Sequence, residues 1–481
     1  MSAVSIIDTT LRDGHQCLWA TRMTTEMMEP ALGAMDKAGF EAIELMGAVH
    51  FDACVRYLKD DPWTRIRLVR ERVQTPLQAL LRSRCALGFE LAPFDLNRLW
   101  VERLIKNGID RFVAFDGLHD LDNLEDGLLH AKRMGTMTTG WLIFSDSPVH
   151  TDQLYADKAR EFIDRAEVDG LMIEDTSGIL TPERISTLVP AVKAVIGDRR
   201  LGFHTHNLVG LGQRAYLTAV DAGIDHIYTC IPPIADGNAP PSIVTTLRNL
   251  HYRGHATQID QDALEDLCEH FERVTTLYGK PRGVPMDFDA ANFGHQIPGG
   301  VLSNLVGQLQ SAGMGQQVEA VLAECARVRE ELGWPIMVTP FSQLVGVQAT
   351  LNIVEGERYR RVPDEVKKYA LGYYGKLLAP VAPDVMDRIV ANGAPSIAMT
   401  PPEDEPVVPQ LQKRFPGADG DELLLRSAFP PHLLGDKTPE PDARRTRIDI
   451  GGLVNTLLNG KDLGSVRIDT GRNVAVTLDW H

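Results

Sequence analysis

Two short stretches, far apart along the chain, carry residue types that can hold a metal ion. One is His204-Thr205-His206; the other is Arg12-Asp13-Gly14-His15-Gln16, inside TTLRDGHQ. Residues two apart on an extended strand point to one face, so both imidazoles of an HxH at a strand end can face the same site. Two histidines and one aspartate make a mixed nitrogen and oxygen donor set that suits Mg, Mn, Zn, Co or Fe. The donor types do not choose among these, because imidazole favours the later metals and carboxylate the harder ones. Two more donors follow other apolar runs: Glu174, with Asp175, after Leu-Met-Ile, and Asn238 within DGNAPP. A fourth protein oxygen would leave one or two coordination positions for a substrate. Asn238 is a candidate ligand. Glu174 has three roles open to it: metal ligand, base, or partner of an arginine.

Positive charge stands close by in sequence. Arg12 precedes Asp13, and Arg82 and Arg84 follow an apolar run. Arginine clamps a carboxylate with two parallel hydrogen bonds, so a carboxylate-bearing substrate fits this composition. Arg84 suggests a second anionic group on the substrate, whereas Cys85 and Phe89 suggest a less polar wall. A cation that polarises a carbonyl stabilises the adjacent enolate, which serves decarboxylation, retro-aldol cleavage, aldol condensation and carboxyl transfer alike. His15, Cys17, Asp116, His119 and His150 are candidates for moving the proton. Cys17 as a covalent nucleophile lacks an assignable orienting group.

The elements that must position these residues repeat one unit: a short apolar run, a loop, an amphipathic stretch. Strands are expected at 5–9, 42–46, 77–81, 111–115, 139–144, 170–173, 202–205 and 226–230. Helical periodicity separates them, as in LNRLWVERLIKNG and PERISTLVPAVKAVI, and a glycine often stops the helix before the next strand. Eight strands alternating with helices predict an α/β fold, a TIM (β/α)8 barrel. No GxGxxG follows the first strand, which disfavours an open dinucleotide-binding sheet. In such a barrel the chemistry sits at the C-terminal ends of the strands, where all these donors fall. From about residue 250 the texture becomes mainly helical, with runs at 260–277, 302–314, 317–333, 341–356, 364–375 and 385–394. Residues 396–410 are rich in proline and acid, and alternating pieces near the C-terminus read as a short β element. The expected division is a catalytic barrel at 1–300, a helical domain at 301–435 and a small β-rich tail at 436–481.

Bulk properties narrow the class. The 481 residues are 44 % hydrophobic and 24 % charged, which is ordinary globular usage. A formal charge of −16 without a Lys/Arg block opposes nucleic-acid binding. No secretory leader and no run of 18 apolar residues is found, so no membrane span and a cytoplasmic location are expected. The six cysteines show no CxxC spacing and read as reduced thiols.

Several longer stretches resemble one family. TTLRDGHQCLWATRM at 9–23, HTHNLVGLGQRAYLTAVDAGID at 204–225 and PIMVTPFSQLVGVQATLNIVEGERYRRVPDEVKKYALGYYGK at 335–376 are similar to the DRE-TIM metallolyase superfamily. Within it they resemble the carboxyltransferase branch: the carboxyltransferase domain of pyruvate carboxylase, the alpha subunit of oxaloacetate decarboxylase and the transcarboxylase 5S subunit. The resemblance runs nearly to residue 430. It implies Asp13, His204 and His206 as metal ligands, Gln16 and Arg82 on the carbonyl and carboxylate of a 2-oxo acid, and a homodimer formed with help from the region at 300–435. It also shows departures. An N-carboxylated lysine of that branch is replaced by Glu174, a threonine after strand eight by Asn238, and an Arg-Gly-Gln-Asn by Arg82-Ser83-Arg84-Cys85. Gly237-Asn238-Ala239 is instead similar to the biotin-independent synthases and lyases, in which the asparagine binds metal. No biotinyl Ala-Met-Lys-Met motif is found.

The resulting expectation is a divalent-metal enzyme (Mn, Zn, Mg or Co) without covalently attached biotin: a biotin-independent carbon–carbon lyase or decarboxylase acting on a 2-oxo acid or related carboxylate. Arg12, His15, Gln16, Arg82 and Glu174 are its expected catalytic residues, and Gln16, Arg82, Arg84, Cys85 and Asp116 its expected substrate contacts. The alternatives are a carboxyltransferase subunit served by a separate biotin carrier protein, an aldol-type condensing enzyme, and a non-catalytic assembly component.

Overall fold

Eight runs of apolar and β-branched residues become eight parallel strands in the computed structural model, which describes residues 3–88, 90–434, 465–469 and 475–479. They are β1 (Ser5–Asp8), β2 (Ala42–Gly47), β3 (Leu77–Arg82), β4 (Arg111–Phe115), β5 (Met137–Ile143), β6 (Gly170–Asp175), β7 (Arg200–Thr205) and β8 (His226–Thr229). Each pairs with the next, and β1 pairs with β8, closing the barrel. Every residue of β2, β4 and β6 is buried, as expected of strands covered on both faces. The strand ends differ from the sequence expectation by one or two residues, and the TIM-barrel architecture stands.

Helix stops follow local chemistry. Helix Phe94–Asn107 ends at Gly108 with φ +119, a backbone region in which a side chain is strained; a Cβ there would also meet Arg70 at 2.6 Å. At the base of the barrel Glu41 accepts from Arg111 at 3.1 Å and from Arg200 at 2.6 Å, tying β2 to β4 and β7.

The barrel interior below the mouth is aromatic and polar rather than aliphatic. Trp141 on β5 lies 6.0 Å from Tyr228 on β8 and 5.8 Å from His204 on β7, ring centre to ring centre. The Gln78 amide donates to the Tyr228 hydroxyl at 3.1 Å and faces Glu44 at 3.4 Å. The β2–β3 register shifts between Glu44 and Met46, an irregularity of the kind that re-aims side chains beside active sites.

Residues up to Asp289 form one compact unit with the segment from Glu405, and Ala290–Asp404 form a second. Residues up to 435 were expected in the helical domain; helices Val408–Arg414 and Gly420–Ala428 group with the barrel. The reason is apolar: Leu411, Phe415 and Leu423 pack against Leu96 and Leu99 of helix Phe94–Asn107. Asp421 adds an ion pair with Arg103 at 2.7 Å. The second unit is helical, and its helix Phe341–Glu355 is buried without a break from Leu344 to Asn352. Arg358 there joins Glu324 at 2.7 Å and Glu331 at 2.6 Å. Strands β9 (Ser465–Asp469) and β10 (Ala475–Asp479) pair antiparallel; the rest of the expected β-rich tail lies outside the described residues. No helix among the described residues is long and apolar enough to cross a membrane.

Three fully packed aromatics hold the helices that follow β2 and β3. Phe51 lies 4.6 Å from both Trp63 and Trp100, in edge-on contact. Trp100→Ala should cost about 3–5 kcal/mol through lost burial and a cavity. Calorimetry should show the unfolding transition of the barrel unit lowered by roughly 5 °C or more.

Candidate metal centre

The centre starts at the end of β1, where the chain winds into a single π-helical turn, Thr10–Gly14, instead of continuing extended. The Thr9 side chain accepts the Asp13 N–H at 3.3 Å and caps the turn. Asp8 holds the other side, accepting from the Thr10 N–H at 3.1 Å and hydroxyl at 2.7 Å. This turn carries Arg12 and Asp13 into the barrel mouth, with side chains 3 % and 2 % exposed.

Asp13 meets the histidines of β7 there. Its Oδ2 is 3.0 Å from His204 Nε2 and 3.1 Å from His206 Nε2. The two imidazoles are nearly parallel, with ring centres 5.2 Å apart. His206 Nδ1–H donates to the main-chain carbonyl of Asn238 at 2.7 Å, which orients the ring so that Nε2 faces Asp13. His204 is held by its neighbours Tyr228 and Trp141, at 5.3 and 5.8 Å.

Glu174 and Asp175, adjacent in sequence, have different roles. Asp175 organises its own loop: its carboxylate accepts from the Ile179 N–H at 3.0 Å, the Leu180 N–H at 2.8 Å and the Thr205 hydroxyl at 2.9 Å. Glu174 is the direct register partner of His204 across β6 and β7, so both project to the same face. One donor atom from each of Glu174, His204 and His206 lies within 4.8 Å of the others, and Glu174 Oε2 is buried without a hydrogen-bond partner.

Electrostatics favour a cation here. Burial opposes ionisation of Asp13, but Arg12 and His206 outweigh it and hold the carboxyl well below its usual range. Burial likewise opposes charge on His206, yet Asp13 prevails and raises that imidazole well above its ordinary value. Glu174 is pushed up to about 8 by burial, against the pull of Arg12. A field that stabilises positive charge between Asp13 and His206, beside an unsatisfied carboxylate oxygen, suits a divalent metal. The nitrogen and oxygen donors match Mn, Co or Zn and do not choose among them.

Arg12 does not face a substrate with its full guanidinium. Its Nη1 is 2.9 Å from Asp13 and its Nε donates to Glu44 at 2.8 Å, while Thr9 donates to the same Glu44 oxygen at 2.6 Å. It therefore positions Asp13. Glu44, fully buried on β2, was not singled out from the sequence, although an acid inside an otherwise apolar strand, AIELMG, is a signal for such a role. Gln78, Trp141 and Tyr228 carried no such signal.

The other expected site residues divide between the donors and the loops around them. His15 is buried, donates to the Leu11 carbonyl at 2.9 Å and packs edge-on against His50, itself bonded to the Arg12 carbonyl at 2.8 Å. It braces the turn and does not join the donors. Asp116 accepts from Ser83 at 2.6 Å, the Leu118 and Asp120 N–H groups at 2.8 and 3.1 Å and Asn123 at 3.1 Å, and so orders the loop after β4. His119 accepts the Ile143 N–H at 2.9 Å, and His150 is 2.7 Å from the Ser147 hydroxyl. Arg82 donates to the Gly88 carbonyl at 2.6 Å, the Arg84 guanidinium sits 4.0 Å over the Phe94 ring, and Cys85 is buried with its thiol pushed up by burial. Gln16 is half-buried on the turn beside Cys17, whose Sγ is 3.5 Å from Asp13 and 3.8 Å from His206. The main-chain oxygen of Asn238, a candidate ligand from the sequence, accepts from His206 and orients it beside the donors. Phe89 lies outside the described residues.

Comparison with known proteins agrees with this architecture. Residues 126–270 match the HMGL-like family and residues 293–432 the conserved carboxylase domain. The chain is 37 % identical over 466 residues to a pyruvate carboxylase subunit of Methanocaldococcus jannaschii, covering 94 % of this chain and 81 % of that protein. It belongs to the carboxyltransferase branch of the DRE-TIM metallolyases. It is also 32 % identical over 439 residues to the methylmalonyl-CoA carboxyltransferase 5S subunit of Propionibacterium freudenreichii, covering 89 % of this chain and 86 % of that one. The carboxyl transferase domain of Rhizobium etli pyruvate carboxylase superposes with a TM-score of 0.83 at 22 % identity, over 99 % of this chain and 83 % of that one, which shows the shared fold. The chain is thus a metal-dependent enzyme of the pyruvate carboxyltransferase type. These relatives support the carboxyl-transfer alternative; the biotin-independent lyase expected from Glu174 and Asn238 finds no support among them.

The ion pair between Arg12 and Glu44 sets the aim of Asp13. Glu44→Gln should weaken divalent-metal binding roughly 10–100-fold, the range for loss of a ligand-orienting partner. Isothermal titration of the metal-stripped protein measures it.

Proposed function

We propose that this enzyme moves a carboxyl group between a biotin carried on a separate protein and a 2-oxo acid. The observation that carries the reading is the convergence of Asp13, His204 and His206 at the mouth of the barrel, in a chain whose relatives include the pyruvate carboxylase subunit described above and, at 34 % identity, the 2-oxoglutarate carboxylase large subunit of Hydrogenobacter thermophilus. When bound, a divalent cation polarises a substrate carbonyl and stabilises the charge that develops on its oxygen. The remaining work falls to side chains. Arg12, fixed by Glu44, keeps Asp13 ionised and aimed; the Asn238 carbonyl keeps the Nδ1 proton on His206. Gln16 and Arg82, on the turn after β1 and at the end of β3, are the groups proposed to take the carbonyl and carboxylate of the 2-oxo acid. The fully buried floor of Trp141, Tyr228 and Gln78 excludes bulk water from beneath the donors, which protects a carbanion-like species from premature protonation.

In the overall reaction the carboxyl leaves the biotin ring nitrogen, a new C–C bond forms at the carbon next to the carbonyl, and the proton displaced from that carbon passes to the nitrogen. The reverse direction gives the simplest assay. Oxaloacetate decarboxylation by the metal-replete enzyme should rise with added free biotin, and the methyl protons of pyruvate should exchange with deuterium above a metal-stripped control. Asp13→Asn should bring both to the control level. Decarboxylation indifferent to biotin would sink the carboxyl-transfer reading.

A further inference from the structure

We infer that Glu174 is a fixed protein ligand of the metal centre, completing the donor set of Asp13, His204 and His206, rather than its base or an arginine partner. The inference rests on the metal-dependent reading above and goes beyond it by assigning the one carboxylate whose role the sequence leaves open.

The argument is one of elimination by hydrogen bonding. Five other carboxylates are buried in the mouth or its loops, and each has hydrogen-bond partners; Asp8 takes the Thr10 N–H and hydroxyl. Asp13 takes Arg12 and both histidines, Glu44 takes Thr9, Arg12 and Gln78, Asp175 takes two N–H groups and a hydroxyl, and Asp116 takes its own loop. Glu174 alone of this group keeps an open oxygen, Oε2, in a side chain 4 % exposed. Leaving a buried acceptor unpaired costs about 1–3 kcal/mol, and more where it is charged, so such an atom calls for a partner.

Arg12 is not that partner. Its Nε and Nη1 belong to Glu44 and Asp13, and its Nη2 and Glu174 Oε2 are both without hydrogen bonds, so they do not bond each other. What does face Glu174 is the pair of imidazoles, with His204 its register partner on the next strand and donor atoms of all three within 4.8 Å. Donors of one ion, each about 2.0–2.2 Å from it, lie within roughly 4.4 Å of one another, so side-chain shifts of a few tenths of an ångström at most bring these three atoms onto one ion. Two carboxylates and two imidazoles balance a dication and choose Mn, Co or Zn over Ca, which prefers an all-oxygen shell.

The test uses the whole chain stripped of metal, with Mn(II) binding followed by electron paramagnetic resonance and Co(II) binding by visible spectroscopy. Glu174→Gln should weaken Mn(II) by more than about 100-fold, beyond the 10–100-fold expected of a residue that only orients a ligand. Its Co(II) d–d bands should change in position and intensity, because a donor has been exchanged. Glu44→Gln, as the orienting control, should leave the Co(II) band shape of the wild type. The metal-free Glu174→Gln protein should melt no lower than metal-free wild type, which separates lost coordination from lost folding. A Co(II) spectrum in Glu174→Gln that superimposes on wild type, or Mn(II) binding within tenfold of it, overturns the inference while leaving the metal-dependent reading intact. Wild type that takes up neither ion overturns both.

Discussion

Burying three carboxyl groups and a guanidinium at the mouth of one barrel is the constraint around which the rest of the structure is arranged. Asp13, Glu44 and Glu174 are 2 %, 0 % and 4 % exposed, and Arg12 is 3 % exposed. Charges so far from water are costly unless paired and hydrogen-bonded, and the attraction between them compensates only where the geometry is good. Arg12 meets that demand by bridging Glu44 and Asp13 along two edges of its fork. Glu174 has no such partner for its Oε2, which is buried beside the two imidazoles.

The local folding of the mouth follows from holding that arrangement. A π-helical turn after β1 brings Arg12 and Asp13 inward, with Thr9, Asp8 and the His15–His50 pair bracing it from behind. The irregularity in β2 occurs next to Glu44, and the loop after β8 returns its Asn238 carbonyl to His206. Residues that look catalytic by type, His15, Asp116 and His119 among them, are consumed in this scaffolding. A loop that carries no regular ladder must find side-chain partners for its main-chain groups, and short polar residues near strand ends supply them.

The chain shares its barrel and its conserved carboxylase region with the carboxyltransferase branch, and Glu174 and Asn238 are among the departures from that branch that the resemblance implies. Taken in isolation, those two residues point toward biotin-independent chemistry. The Asp13, His204 and His206 group is intact beside them: the Asn238 main-chain oxygen orients His206, and a Glu174 carboxylate oxygen lies near the imidazoles. A changed shell around an intact donor core alters affinity and metal preference more readily than reaction class, because the charge that stabilises an enolate stays in place.

Strand and helix periods and glycine stops are local properties, so the barrel was legible in the chain alone, and so were the strand ends that carry donors. Asp13, His204 and His206 were legible too, because an HxH at one strand end and an Asp after another are informative in any closed barrel. The role of Glu174 could not be chosen in this way, nor Arg12 the clamp told from Arg12 the substrate contact. Those distinctions depend on the register of β6 against β7 and on which hydrogen bonds are already used, and both are set by contacts between residues far apart in the chain. The grouping of residues 408–428 with the barrel was likewise hidden, because an amphipathic helix shows that it has an apolar face but not which surface covers it. Periodicity is written locally; pairing is decided only when distant strands and helices meet.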